Sequence, residues 1–231
     1  MKKLITHILI GMLTIALLVI VGCKYEAPVE PLPSLSGSLE LETIVAAYLG
    51  GTVKEYYVYL PPSYDTSADS FPVIYLFHGF GFDYSYFKNW TAIKYLLDEL
   101  ISDEAIQEMV VVMPDGKNDL AGSFYTNSYD VYNSTGVFGY YENYMIQELI
   151  PTAEALYAKI DPARRAIGGI SMGGYGSMYL AENNSAMFQT VFSHSGPIYF
   201  EALKPILPGV VAENPLGLTQ TNVTAGVSGP S

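Results

Sequence analysis

Gly169-Ile170-Ser171-Met172-Gly173 sets a serine between glycines placed two residues to either side. A serine hydroxyl attacks an acyl carbon only when a base takes its proton and preorganised donors meet the oxyanion that forms. A sharp strand-to-helix turn at Gly-x-Ser-x-Gly meets part of that need. It thrusts the hydroxyl outward in unfavourable dihedrals, and it aims the next backbone N–H, that of Met172, at the reacting oxygen. Neighbouring chain comes so close that only a residue without Cβ fits at the flanking positions. The flanks agree with such a nucleophile elbow: Arg165-Ala166-Ile167 ends a short buried strand, and Tyr175 to Ala181 forms a helix with small residues toward a sheet.

Two further segments end apolar runs with residues suited to the same chemistry: His78-Gly79-Phe80-Gly81 and Pro114-Asp115-Gly116. Active-site groups of open α/β sheets gather at the carboxyl ends of the strands. The glycine-bearing loop after His78 is therefore expected to supply the second oxyanion donor. Phe80 N–H is the first choice and Gly81 the next. His78 itself reads as a structural histidine, not the base.

The elements that must position these groups follow from pattern. Thr52 to Leu60 is β-branched and aromatic and stops at Pro61-Pro62. Pro72 to Phe77 and Met109 to Met113 are continuous apolar runs of strands buried on both faces. A helical period runs through Asn89 to Ile106, with Ile93, Leu96, Leu97, Leu100 and Ile101 apolar. A second covers Tyr141 to Tyr157, where Pro151 predicts a kink or break. Val191-Phe192-Ser193 is one more short strand. Alternating strands and helices predict a doubly covered, mostly parallel sheet in a single domain without internal repeats. The long loop over 115–138 follows a strand end at the site and is expected to line the substrate mouth, with Tyr125 and Tyr129 binding substrate.

The chain's twenty tyrosines suit sugar or aromatic ligands, or simply fill half-buried loops. Formal charge is −12 over 231 residues, and there is no Lys/Arg cluster. Nucleic acid and anionic surfaces would repel such a chain, so neither is an expected partner. No cofactor or metal is expected.

At the N-terminus, Lys2 and Lys3 precede an apolar stretch from Leu4 to Val21, and Ile20-Val21-Gly22-Cys23 has the form of a lipobox. Cys23 is the only cysteine, so it has no intramolecular disulfide partner. Residues 1–22 are expected to be a signal peptide and Cys23 the lipidated N-terminus. Residues 23–40, rich in Pro and Ser, form a flexible tether, and 41–231 the domain. Removing Lys2 and Lys3 takes the eleven basic residues to nine against 23 acidic ones, a formal −14. The expected location is the bacterial cell envelope, outside the cytoplasmic membrane and held by the lipid.

Residues 52–200 resemble the esterase D / feruloyl esterase / antigen 85 group of α/β-hydrolases. The resemblance rests on Val58-Tyr59-Leu60-Pro61-Pro62-Ser63-Tyr64, Leu76-Phe77-His78-Gly79, Glu148-Leu149-Ile150-Pro151, the elbow, and Ser193-His194-Ser195-Gly196. It implies a serine esterase of carbohydrate-linked, feruloyl or small acyl esters, acting through an acyl-enzyme on Ser171. It also implies an oxyanion hole at Phe80 and Met172. The family orders its triad as Ser, acid, His, on loops after later strands. After Ser171 this sequence has no aspartate, only Glu182, Glu201 and Glu213, and its one later histidine is His194, within a segment that does not carry the base. The expectation is a domain incomplete at its C-terminus and nearly inactive as it stands; the rival is His194 as substitute base, with Glu201. Other functions compatible with these residues are a prolyl-oligopeptidase-type hydrolase, an acyltransferase, and a non-catalytic surface protein binding glycan through the Tyr-rich loop.

Overall fold

The structure, a computed structural model, describes residues 36–127 and 139–197. Cys23, Tyr129, Glu201 and the apolar stretch Leu4 to Val21 lie outside those residues. Six strands form one sheet in the order β1-β2-β4-β3-β5-β6. They are β1 (Ser38–Ala46), β2 (Thr52–Leu60), β3 (Phe71–Phe77), β4 (Val110–Pro114), β5 (Ile160–Ile170) and β6 (Thr190–His194). The β1–β2 hairpin pairs antiparallel, as does β2 with β4, while β4, β3, β5 and β6 run parallel. The strand at Ser38 and the Gly37 N–H bonded to Asp98 at 2.9 Å start the domain slightly before the expected residue 41.

The helices are α1 (Tyr86–Thr91), α2 (Ile93–Ser102), a composite α3 and α4 (Met172–Asn183). The expected single helix from Asn89 to Ile106 is broken at Ala92, whose φ of 49° turns the chain so that both Phe87 and the Ile93/Leu97 pair reach the sheet. In α3, an α turn (Tyr141–Asn143) widens into a π stretch (Tyr144–Leu149) and returns to α at Ile150–Leu156. Pro151 falls at the start of that last segment. Lacking an N–H, it fits the seam where the i→i−4 ladder is already interrupted. The helix continues through the position where a kink or break was expected, with the π stretch ending just before it.

The two sheet faces are covered unequally. Phe71, Val73, Tyr75 and Phe77 of β3 are buried with Val110, Val112 and Ile167 against α3 and α4. Their neighbours Ile74 and Leu76 face α1 and α2 and are only partly buried. Five tyrosines (Tyr56, Tyr59, Tyr75, Tyr125 and Tyr144) are among the largest fully buried side chains, so much of the tyrosine content builds core. The Glu148-Leu149-Ile150-Pro151 motif is structural: the Glu148 carboxylate accepts N–H bonds from Ala47 at 2.9 Å and Tyr48 at 3.3 Å, capping the turn between β1 and β2. None of the described helices is long and apolar enough to cross a membrane.

Candidate active site

Strands β3, β4 and β5 end together, and the loops leaving them meet around Ser171. Parallel pairing sets Phe77 beside Gly169 and Ile170 beside His194. Ser171 adopts φ 53° and ψ −117°, a region L-residues rarely occupy, and its side chain is exposed. Such a conformation costs on the order of 1–3 kcal/mol and persists only where surrounding bonds over-determine it. Here the Ser171 N–H donates to His194 O at 2.8 Å, and its carbonyl accepts from Tyr175 N–H at 3.0 Å. The glycines are sterically required. A Cβ at Gly169 would stand 2.5 Å from Phe77 O, and one at Gly173 would stand 2.3 Å from the same oxygen.

Met172 opens α4, so its N–H is one of the first-turn donors that no helix carbonyl can reach. The positive end of the helix dipole lies at the same place. The Met172 side chain is buried, and its sulfur and the Phe80 ring close on Gly122: a Cβ there would meet Met172 Sδ at 2.4 Å and the Phe80 ring at 2.7 Å. The loop after β4 thus clamps the two residues whose N–H groups sequence reasoning nominated as oxyanion donors. Gly81, the second choice for that role, is engaged elsewhere, its N–H donating to Ala121 O at 2.9 Å.

His78 is 1% exposed, and both ring nitrogens have partners. Nδ1 lies 2.9 Å from Gly79 O, and Nε2 lies 2.9 Å from the Gly116 N–H nitrogen and 3.6 Å from Asp115 Oδ1. A histidine so occupied has no free nitrogen for a serine proton; it ties the β3 loop to the β4 loop. Beside it, the Asp115 carboxylate accepts from Lys54 Nζ at 2.9 Å and from Lys117 N–H at 2.9 Å. Burial alone would raise the Asp115 pKa. The neighbouring His78 ring, the Lys54 charge and the Lys117 N–H outweigh it and hold the carboxyl below its ordinary value. Lys54 also donates to Lys117 O at 2.6 Å, and Tyr141 O–H reaches the same carbonyl at 2.6 Å.

Tyr125 corrects an expectation. It is fully buried, stacked on Phe77 with ring centroids 4.1 Å apart, and its hydroxyl donates to His78 O at 3.2 Å. Space for the ring is left by Gly116 and Gly176, where a Cβ would stand 2.3 Å and 2.6 Å from it. Tyr125 therefore braces the ends of β3 and β4 and the helix α4 from beneath and does not touch substrate. Nothing local in the sequence announces this, because the two glycines that make room for the ring lie on a neighbouring loop and on α4. Lys54 gave no signal either, because its partner lies 61 positions away across the sheet.

Among the described residues no three His, Cys, Asp or Glu side chains converge as a metal site. A polar groove lined by Ser67, Asp69, Glu108 and Arg164 lies by Phe71, at the opposite ends of the strands from Ser171.

Comparison with known proteins agrees with this geometry. Residues 48–216 match the family model Esterase, described as "Putative esterase". An esterase of Mycobacterium tuberculosis is 35% identical over 144 residues, covering 61% of this chain and 28% of that protein. An endo-1,4-beta-xylanase/feruloyl esterase of Xylanibacter ruminicola is 31% identical over 179 residues, covering 71% of this chain and 23% of that protein. The chain spans about a quarter of the length of these curated relatives. A solved ferulic acid esterase superposes with a TM-score of 0.67 at 23% identity, covering 85% of this chain and 72% of the other. With its mostly parallel sheet, its strained serine between β5 and α4 and this family match, the chain belongs to the esterase family of α/β-hydrolases.

Proposed function

We propose that the chain is a serine esterase of carbohydrate-linked acyl or feruloyl esters that works through an acyl-enzyme on Ser171. The observation that carries this is Ser171 itself, exposed at φ 53° at the start of α4. Its Oγ attacks the ester carbonyl carbon as a base takes its proton. The carbonyl electron pair moves onto oxygen, where Phe80 and Met172 N–H groups stabilise it. Collapse of that intermediate breaks the bond to the alcohol, which leaves with a proton, and water then releases the acid by the same steps. His194 acts through its main chain, whose carbonyl holds Ser171 N–H, and is not the base. The substrate class rests on the resemblance, on the family and on a relative named as a xylanase/feruloyl esterase.

Residues 1–22 are the secretion signal in this proposal, and Cys23 carries the lipid that holds the enzyme in the cell envelope. The test is p-nitrophenyl acetate hydrolysis by the full chain. Turnover is expected to be slow and to vanish in Ser171→Ala. It is expected to persist within a few-fold in His194→Ala, which keeps the carbonyl that matters. Turnover indifferent to Ser171→Ala would refute the nucleophile, and loss in His194→Ala would make that imidazole the base.

A further inference from the structure

An exposed aromatic strip runs outward from the nucleophile. A Cβ placed on Gly79 would touch both Ser171 Cβ, at 3.6 Å, and the Phe82 ring, at 3.8 Å, so the ring and the serine flank the same point beside Gly79. Phe82 meets Tyr86 at 4.5 Å between centroids and Trp90 at 6.0 Å, edge-on at 69°. Phe82 is 36% exposed and Trp90 is 73% exposed. The segment is held in shape. Phe82 N–H donates to Gly79 O at 3.3 Å and Tyr86 N–H to Asp83 O at 3.0 Å, while Asp83 Oδ1 accepts from both Ser85 N–H and Ser85 O–H.

Exposed aromatic rings in contact with one another beside an exposed, strained serine form a contiguous apolar surface suited to covering by a ligand. We propose that Phe82, Tyr86 and Trp90 form a saccharide platform, on which a sugar ring of the ester's carbohydrate part stacks while the acyl carbon lies at Ser171. The inference rests on Ser171 being the nucleophile and names the side of the substrate that these residues recognise. Openness decides between the two halves of an ester. Small acyl groups are held in pockets that bury most of their surface. An open strip, with Phe82 and Trp90 exposed and Tyr86 half-buried beside Phe82, instead suits one ring of a longer chain that passes over the surface. Aromatic faces provide the apolar contact and leave sugar hydroxyls in water.

Trp90 is the only tryptophan in the chain, so intrinsic tryptophan emission reports on this strip alone. The full chain is titrated with xylohexaose, cellohexaose, mannohexaose and chitohexaose, and separately with ferulic acid. At least one hexaose is expected to give a saturable change in emission. Its half-saturation point should rise about three- to tenfold in Phe82→Ala and in Tyr86→Ala, as expected for loss of one aromatic contact. It should be unchanged in Ser171→Ala. No saturable change with any hexaose, a response to ferulic acid alone, or identical titrations in both aromatic variants would overturn the platform. Ser171-dependent p-nitrophenyl acetate turnover scores the esterase reading separately, so either can fail while the other stands.

Discussion

Replacing Asp115 by alanine is expected to destabilise the fold by about 3 kcal/mol, through the cation it abandons. Lys54 and Asp115 side chains are 11% and 13% exposed, with Nζ 2.9 Å from Oδ2. Removing one partner of a buried pair typically costs about 3–5 kcal/mol, because the remaining charge stays desolvated. The lower end applies here, since Lys54 retains the Lys117 carbonyl at 2.6 Å and sits 5.4 Å from the centre of the Tyr141 ring. For a domain of this size each kcal/mol moves Tm by about 2–4 °C, so a fall of about 6–12 °C follows. Urea denaturation at neutral pH, followed by circular dichroism, measures the loss directly. The double variant Lys54→Met, Asp115→Ala removes the stranded charge and should recover at least about half of it. A loss below about 1 kcal/mol in Asp115→Ala, or a double variant no more stable than that single one, would refute a desolvated pair at this position.

Acid should expose the same carboxylate. Its pKa is held below the ordinary aspartate value, so its contribution is complete above about pH 4 and is lost as pH falls toward the lower folded value; Asp115→Asn should flatten the acid limb of a stability-against-pH curve. Gly173→Ala should cost about 3 kcal/mol or more or prevent folding, because its Cβ would drive into Phe77 O at 2.3 Å. Gly79→Ala, with its nearest contacts at 3.6 Å, should instead leave Tm nearly unchanged, and thermal melts of the two variants side by side test the contrast. Cys23→Ala should abolish incorporation of a fatty-acid probe in cells; undiminished labelling would sink the lipoprotein assignment.

The parts of this architecture that could be read from the chain are those where one local rule dominates. Two glycines flanking Ser171 announce an elbow, because backbone contact at 2.3–2.5 Å admits nothing larger. Met109 to Met113 announces a buried strand, and the strand that forms from Val110 is buried throughout. The break at Ala92 was not legible, since alanine favours helix and only the competing demands of Phe87 and Ile93 for the sheet force its positive φ. Tyr125 misled because a tyrosine has one composition and two uses. Its burial depends on gaps left by Gly116 and Gly176, one on a neighbouring loop and one on α4. His78 was read as structural, but its partners were invisible, since Gly116 reaches it only when β3 and β4 pair in register.

The central claim is that Ser171 Oγ takes the acyl group, and trapping that adduct tests it most directly. The full chain is mixed with p-nitrophenyl acetate, quenched in acid, digested and read by tandem mass spectrometry. Acylation at Ser171 followed by slow release predicts an acetyl group on the peptide containing Ser171, appearing in step with the first equivalent of p-nitrophenol and absent from Ser171→Ala. Release of p-nitrophenol with Ser171 unmodified, at the same rate in Ser171→Ala, would contradict it.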